Sequence, residues 1–110
     1  MVFERLISEK ESKLLEILIR NSGLEMSEDW KSKLLVRSMD DNDMGSLLLF
    51  PNGEVKEGRE FGGQVSEFLF KDIDGIEVIA SLNIDKEGNL FELDIWKTDF
   101  SSLRNFPDFE

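Results

Sequence analysis

The chain contains no cysteine and no histidine. Without thiols there is no disulfide, no thiol nucleophile and no thiolate metal site. Without imidazole, the commonest general base, the commonest metal ligand and the usual neutral-pH switch are all missing. Long apolar runs are absent as well. The opening stretch MVFERLISEKESK is charged within its first few residues, so it reads as neither a secretory signal nor a membrane span, and a cytoplasmic protein is expected. Positive charge is scarce: 13 Lys and Arg stand against 24 Asp and Glu, for a net charge of −11. Nucleic acid is not expected as a partner, because affinity for phosphates comes from neutralising them with basic side chains. An anionic membrane repels the same charge. A basic macromolecule would be attracted, and complementary fields raise association rates by orders of magnitude. The plain alternative is that the acidity only maintains solubility.

What is present amounts to a single α+β domain spanning residues 1–110. A chain of this length buries about two-thirds of its unfolded surface, enough for one core without disulfides or metal. The segment Ser8-Glu9-Lys10-Glu11 has the form of a capping box. Beyond it Leu14, Leu15, Leu18 and Ile19 recur at helical spacing until Asn21-Ser22-Gly23 supplies a stop, which predicts a helix over 8–21. Ser27-Glu28-Asp29-Trp30 starts a short second helix ending near Lys33, after which LLVRSM turns extended. SLLLF, 46–50, reads as a buried strand closed by Pro51-Asn52-Gly53. The charged, glycine-rich stretch 54–63 reads as an edge strand or loop.

Three strands follow as an antiparallel meander: 65–72, 76–84 and 90–98. Asp72-Ile73-Asp74-Gly75 and Asp85-Lys86-Glu87-Gly88 supply the turns. A three-residue loop at 73–75 and a four-residue loop at 85–88 fix the parity of the faces. Phe68, Phe70, Val78, Ala80, Leu82, Phe91, Leu93 and Ile95 then share one apolar side, which the main helix covers. The expectation is a sheet of about four to five strands. The other side collects Glu67, Glu77, Ser81, Asn83, Glu92, Asp94 and Trp96, relieved by Leu69, Ile79, Leu90 and Lys71. Acids beside an indole suit a protein interface, where tryptophan is the commonest anchor. The competing reading buries Trp96 and Ile79 beneath the 24–45 segment or the carboxyl-terminal tail.

Catalytic signals are weak. Asp40-Asp41-Asn42-Asp43 before Gly45 lacks the ligand spacing and distal glutamate of an EF-hand, so a solvated turn is expected. Gly58, Gly62 and Gly63 form no phosphate loop. Glu92 and Asp94 lie two apart on one strand, roughly 6–7 Å, a spacing that glycosidase carboxylates also use, yet acids on an outer strand face are commonplace. No enzyme and no cofactor is expected.

The stretches MGSLLLF and VIASLNIDKEGNLFELDIWKTDFSSL resemble small acidic bacterial proteins of a domain-of-unknown-function family with a carboxyl-terminal LFELDIWKxDFSxL run. The chain is also similar to the immunity proteins encoded beside contact-dependent or polymorphic toxins. That resemblance implies an antitoxin that neutralises a cognate toxin domain, a basic nuclease, by tight stoichiometric binding. Trp96 is the expected anchor, with Glu77, Glu92, Asp94 and Asp99 meeting Lys or Arg of the toxin. Two other classes stay open: a regulatory module binding a small molecule or peptide between helix and sheet, and a metal-assisted enzyme centred on Asp40, Asp41 and Asp43 or on Asp94. Oligomeric state and the order of the first strands are not legible.

Overall fold

The computed structural model describes residues 4–39 and 44–104. Its elements are β1 (Arg5–Leu6), α1 (Glu9–Ser22), α2 (Trp30–Lys33), β2 (Leu35–Ser38), β3 (Leu47–Phe50), β4 (Phe61–Lys71), β5 (Glu77–Asp85) and β6 (Leu90–Lys97), with a 3-10 turn at Pro51–Gly53. All strands join one antiparallel sheet in the order β1-β2-β3-β6-β5-β4. Six strands exceed the expected four to five. The addition is β1, two residues long, too short to carry any periodicity. β4 also begins at Phe61, inside the stretch read as edge or loop.

The amino-terminal helix forms where its cap predicts. The Ser8 hydroxyl accepts from the Glu11 N–H at 3.2 Å, and the Glu11 carboxylate accepts from the Ser8 N–H at 2.9 Å. The same carboxylate takes both guanidinium nitrogens of Arg5, at 2.7 and 2.8 Å, which ties the helix cap to β1. Gly23 closes the helix at φ 76°, a left-handed conformation that costs glycine nothing. The apolar stripe Leu14, Leu15, Leu18 and Ile19 lies against Val78, Ala80, Leu82, Leu93 and Ile95, with Leu34, Val36, Leu47 and Leu49 completing the core. Each of the Leu, Ile and Val side chains stabilises the fold by about 1.5–3 kcal/mol on burial.

The first hairpin closes as its sequence predicts. The Asp72 N–H donates to the Ile76 carbonyl at 3.0 Å, and the pairs Phe70–Val78 and Phe68–Ala80 follow. The second hairpin reaches the expected parity by another route. Asp85 pairs with Asn89, its N–H donating at 2.9 Å, so the loop holds three residues and not four. A register shift beside Asn83 then restores the count: Ile84 faces Leu90, while Asn83 faces Glu92. Phe91 is the extra residue of this bulge. Leu90, expected outside, therefore enters the core, and Phe91, expected inside, stays half-buried under the Arg59 guanidinium at 4.8 Å.

Candidate functional site

The outer side of the sheet is divided into a closed half and an open half. Residues 54–60 close the half over β2, β3 and the start of β6. There Phe50, 1% exposed, lies between the guanidinium groups of Arg37 and Arg59, at 5.1 and 5.3 Å from its ring centre. Arg59 donates to the carbonyls of Leu90, at 2.9 Å, and of Leu49, and pairs with the buried Asp85 carboxylate at 3.4 Å. One arginine thus fastens the loop to three strand ends. No periodic signal marks it within EVKEGREFGG.

The open half spans β6, β5 and β4, and strand register arranges it in rows. Trp96 faces Ile79, which faces Leu69. Trp96 is 52% and Leu69 56% exposed. Phe100 extends this apolar row from beyond the end of β6, its ring centre 5.1 Å from that of Trp96 and tilted by 60°. It does so from φ 64°, a left-handed conformation unusual for a bulky side chain. One neighbouring row is Asp94, Ser81 and Glu67; the next is Glu92, Asn83 and Gln64. On the other side lie Glu77 and Lys71. A shallow depression of about 260 Å³ opens between Trp96, Ile79, Ser81, Asp94 and Gln64.

The five expected contact residues do not share one environment. Trp96 is exposed and is not sealed beneath the 24–45 segment. Glu77 is exposed beside it, two residues before Ile79 on β5. Asp94 is half-buried and accepts a 2.7 Å hydrogen bond from the buried Asn83 amide. Glu92 is half-buried toward the closed half, its backbone opposite Leu48 of β3. Burial, followed by the negative charge of Asp94, holds its carboxyl above the usual glutamate range, against the opposing pull of Asn83 and Arg59. Asp99 lies past the strand on an exposed turn. Its carboxylate accepts from the Ser101 hydroxyl at 2.6 Å and N–H at 3.0 Å, which lowers its pKa.

Sequence reading missed Lys97. Parity places it on the apolar side opposite Val78, and there it is fully buried. Its ammonium meets the carboxylates of Asp72 and Asp74 at 2.9 and 2.6 Å and the Ser102 carbonyl at 3.1 Å. The signal was available: Asp72 occupies the same side at the same end of the sheet, so a lone lysine there has a carboxylate within reach. This cluster anchors the 98–104 segment that carries Phe100.

The run Asp40–Asp43 lies outside the described residues, and among the described residues no group of three or more His, Cys, Asp or Glu could hold a metal ion. No helix among them is long and apolar enough to cross a membrane. Between the 24–34 segment, Pro51-Asn52 and the start of β6 there is a recess of about 200 Å³ lined by Leu24, Met26, Trp30, Leu34 and Leu90. That is below the usual range of about 300–1,000 Å³ for small-molecule sites. Residues 4–107 match the model of a family described as Domain of unknown function (DUF6984). No curated protein and no solved structure matches the chain.

Proposed function

The chain belongs to the DUF6984 family, a domain of unknown function, and we propose that it acts as an immunity protein. On this reading it neutralises a cognate bacterial toxin domain, a basic nuclease, by stoichiometric binding and not by catalysis. One observation carries it. The row Leu69, Ile79, Trp96 and Phe100 runs across three strands, exposed at Leu69, Trp96 and Phe100 and half-buried at Ile79, and is bordered by Glu67, Glu77, Asp94 and Asp99. An apolar centre with an acidic rim is the form that captures a cationic surface: the indole is desolvated on contact, and the acids guide encounter. A net charge of −11 adds a long-range field of the same sign. Protection of a cell from a nuclease demands capture at about nanomolar affinity or better, roughly −12 kcal/mol, and a few buried anchors can supply most of that.

The test is co-expression with the basic carboxyl-terminal domain of a secreted protein encoded beside this reading frame. Rescue of growth and a one-to-one complex that blocks nuclease activity are expected. A neighbourhood of metabolic enzymes, or a neighbouring toxin left fully active by excess protein, overturns the reading.

A further inference from the structure

The sheet ends on β4, 11 residues long, and among the described residues no strand pairs with its far edge. An edge of this kind is a template for another strand. Its first half is spoiled for that use by register shifts between Phe61 and Gly63 and between Gln64 and Ser66, because bulges twist an edge away from pairing. From Ser66 to Lys71 the ladder with β5 is regular.

Alternation decides which backbone groups face outward. The Asp72 N–H donates to the Ile76 carbonyl at 3.0 Å, so Asp72, Phe70 and Phe68 exchange bonds with β5. Glu67, Leu69 and Lys71 then aim their N–H and C=O groups at the free edge. Glu77, opposite Lys71, agrees: its carbonyl turns the other way and accepts from the Thr98 N–H at 3.0 Å. The side chains of Glu67, Leu69 and Lys71 are all exposed.

We propose that a second copy of this chain occupies this edge, with β4 antiparallel to β4 about a two-fold axis at Leu69. In that register Leu69 meets its own counterpart, Glu67 faces the partner subunit's Lys71, and Lys71 faces the partner subunit's Glu67. On the helix side Phe68 meets the partner subunit's Phe70. Moving the axis to Glu67 or Lys71 sets like charges in opposition, and intermediate registers set a charge against Leu69. Charges on an edge ordinarily repel added strands. Here opposite charges four residues apart make the edge self-complementary, as a two-fold interface requires. The row Trp96–Ile79–Leu69 then runs on into the same row of the other subunit.

Self-association is measured on the full chain alone, so its outcome is independent of any toxin. Sedimentation equilibrium at physiological salt should show a reversible monomer–dimer exchange. Glu67→Lys and Lys71→Glu should each weaken the dimer by about tenfold or more, and the double variant should restore it to within about threefold of the parent. Circular dichroism checks that these exposed changes leave the fold intact. In the unaltered chain, protection of the Leu69 amide from hydrogen exchange should rise with protein concentration. A monomer throughout, a dimer indifferent to both single reversals, or a double variant no tighter than the singles overturns the proposal.

Discussion

Lys97 and Asp72 form an ion pair of 2.9 Å with neither side chain exposed to solvent. The pair has few unmet demands. Asp72 also accepts from the N–H groups of Ile73 and Arg104, at 2.7 and 2.6 Å, and Lys97 also reaches Asp74 and Ser102. Burial pushes the Asp72 carboxyl up, but the Arg104 N–H, the Lys97 ammonium and the Ile73 N–H outweigh it and leave the pKa at about 2. The cluster joins the end of β6, the turn before β5 and the chain beyond Asp99. It therefore sets where Phe100 stands against Trp96, which links a buried ion pair to the shape of the open face.

Lys97→Met keeps the bulk of the side chain and removes its charge. The Asp72 carboxylate is then left buried without a counter-ion, and Asp74 loses its closest partner. Removing one member of a buried pair is strongly destabilising. Thermal unfolding followed by circular dichroism should show Tm lower by about 10–20 °C. A change within about 2 °C, the scale of an ordinary surface substitution, would show that water already reaches the cluster.

Two carboxylates make opposite contributions to pH dependence. Asp72 is held at about 2, below the ordinary 3.8, so its stabilisation is complete above about pH 4 and is lost as pH falls toward 2. Glu92 is held above the ordinary 4.5 by burial and by Asp94. Its protonated form is favoured by folding, so the stability it contributes is present below the ordinary value and lost as pH rises through the folded one. Urea midpoints from pH 7 down to 2 separate the two. Asp72→Asn should flatten the acid limb. Glu92→Gln should raise the midpoint at pH 7 and lose that advantage near pH 4.

The sequence carried the parity of the meander because turn chemistry and hydrophobic alternation specify the same thing twice. Asp72 to Gly75 dictates a three-residue loop, and Phe68, Phe70, Val78 and Ala80 then need one shared side. It did not carry the bulge at Phe91. Leu90 and Phe91 are both apolar, so either could be core, and only the hydrogen bond from Asp85 to Asn89 decides between them. Nor did it carry the covering of the outer face, because Arg59 fastens residues 54–60 by bonds to carbonyls, which have no sequence signature. The side of the sheet on which Trp96 stands was legible because alternation fixes it, though whether another segment covers the ring was not. The half-burial of Glu92 was not, because it depends on that covering loop.

Gly62 marks another constraint that composition hides. A Cβ placed there would overlap the backbone carbonyl of Asp85 and crowd the Lys86 nitrogen. These are backbone atoms of the neighbouring hairpin and cannot rotate away. Gly62→Ala should cost at least about 1–3 kcal/mol in urea unfolding. Gly58→Ala, with open space around its Cβ but a left-handed φ of 75°, should cost about 1 kcal/mol through backbone strain alone. Equal costs would mean that β4 shifts to admit the methyl group.

Trp96 and Glu77 test the open face by different kinetic signatures. The Trp96 indole is 52% exposed and touches Phe100, itself 60% exposed, so Trp96→Ala should leave the fold intact. Against the proposed toxin domain it should weaken binding by about 2 kcal/mol or more, roughly 30-fold, almost all of it in faster dissociation. Glu77 is exposed at the rim. Glu77→Lys should slow association several-fold at low salt and flatten its salt dependence, with dissociation little changed. Asp94→Lys is a poorer probe, because it also strips the buried Asn83 amide of its 2.7 Å acceptor. Glu92→Lys, toward the closed half, should disturb association less than Glu77→Lys. Surface plasmon resonance across a salt series reads Trp96→Ala, Glu77→Lys and Glu92→Lys. If Trp96→Ala and Glu77→Lys both bind as the parent does, the toxin docks elsewhere and the open face has lost its assignment.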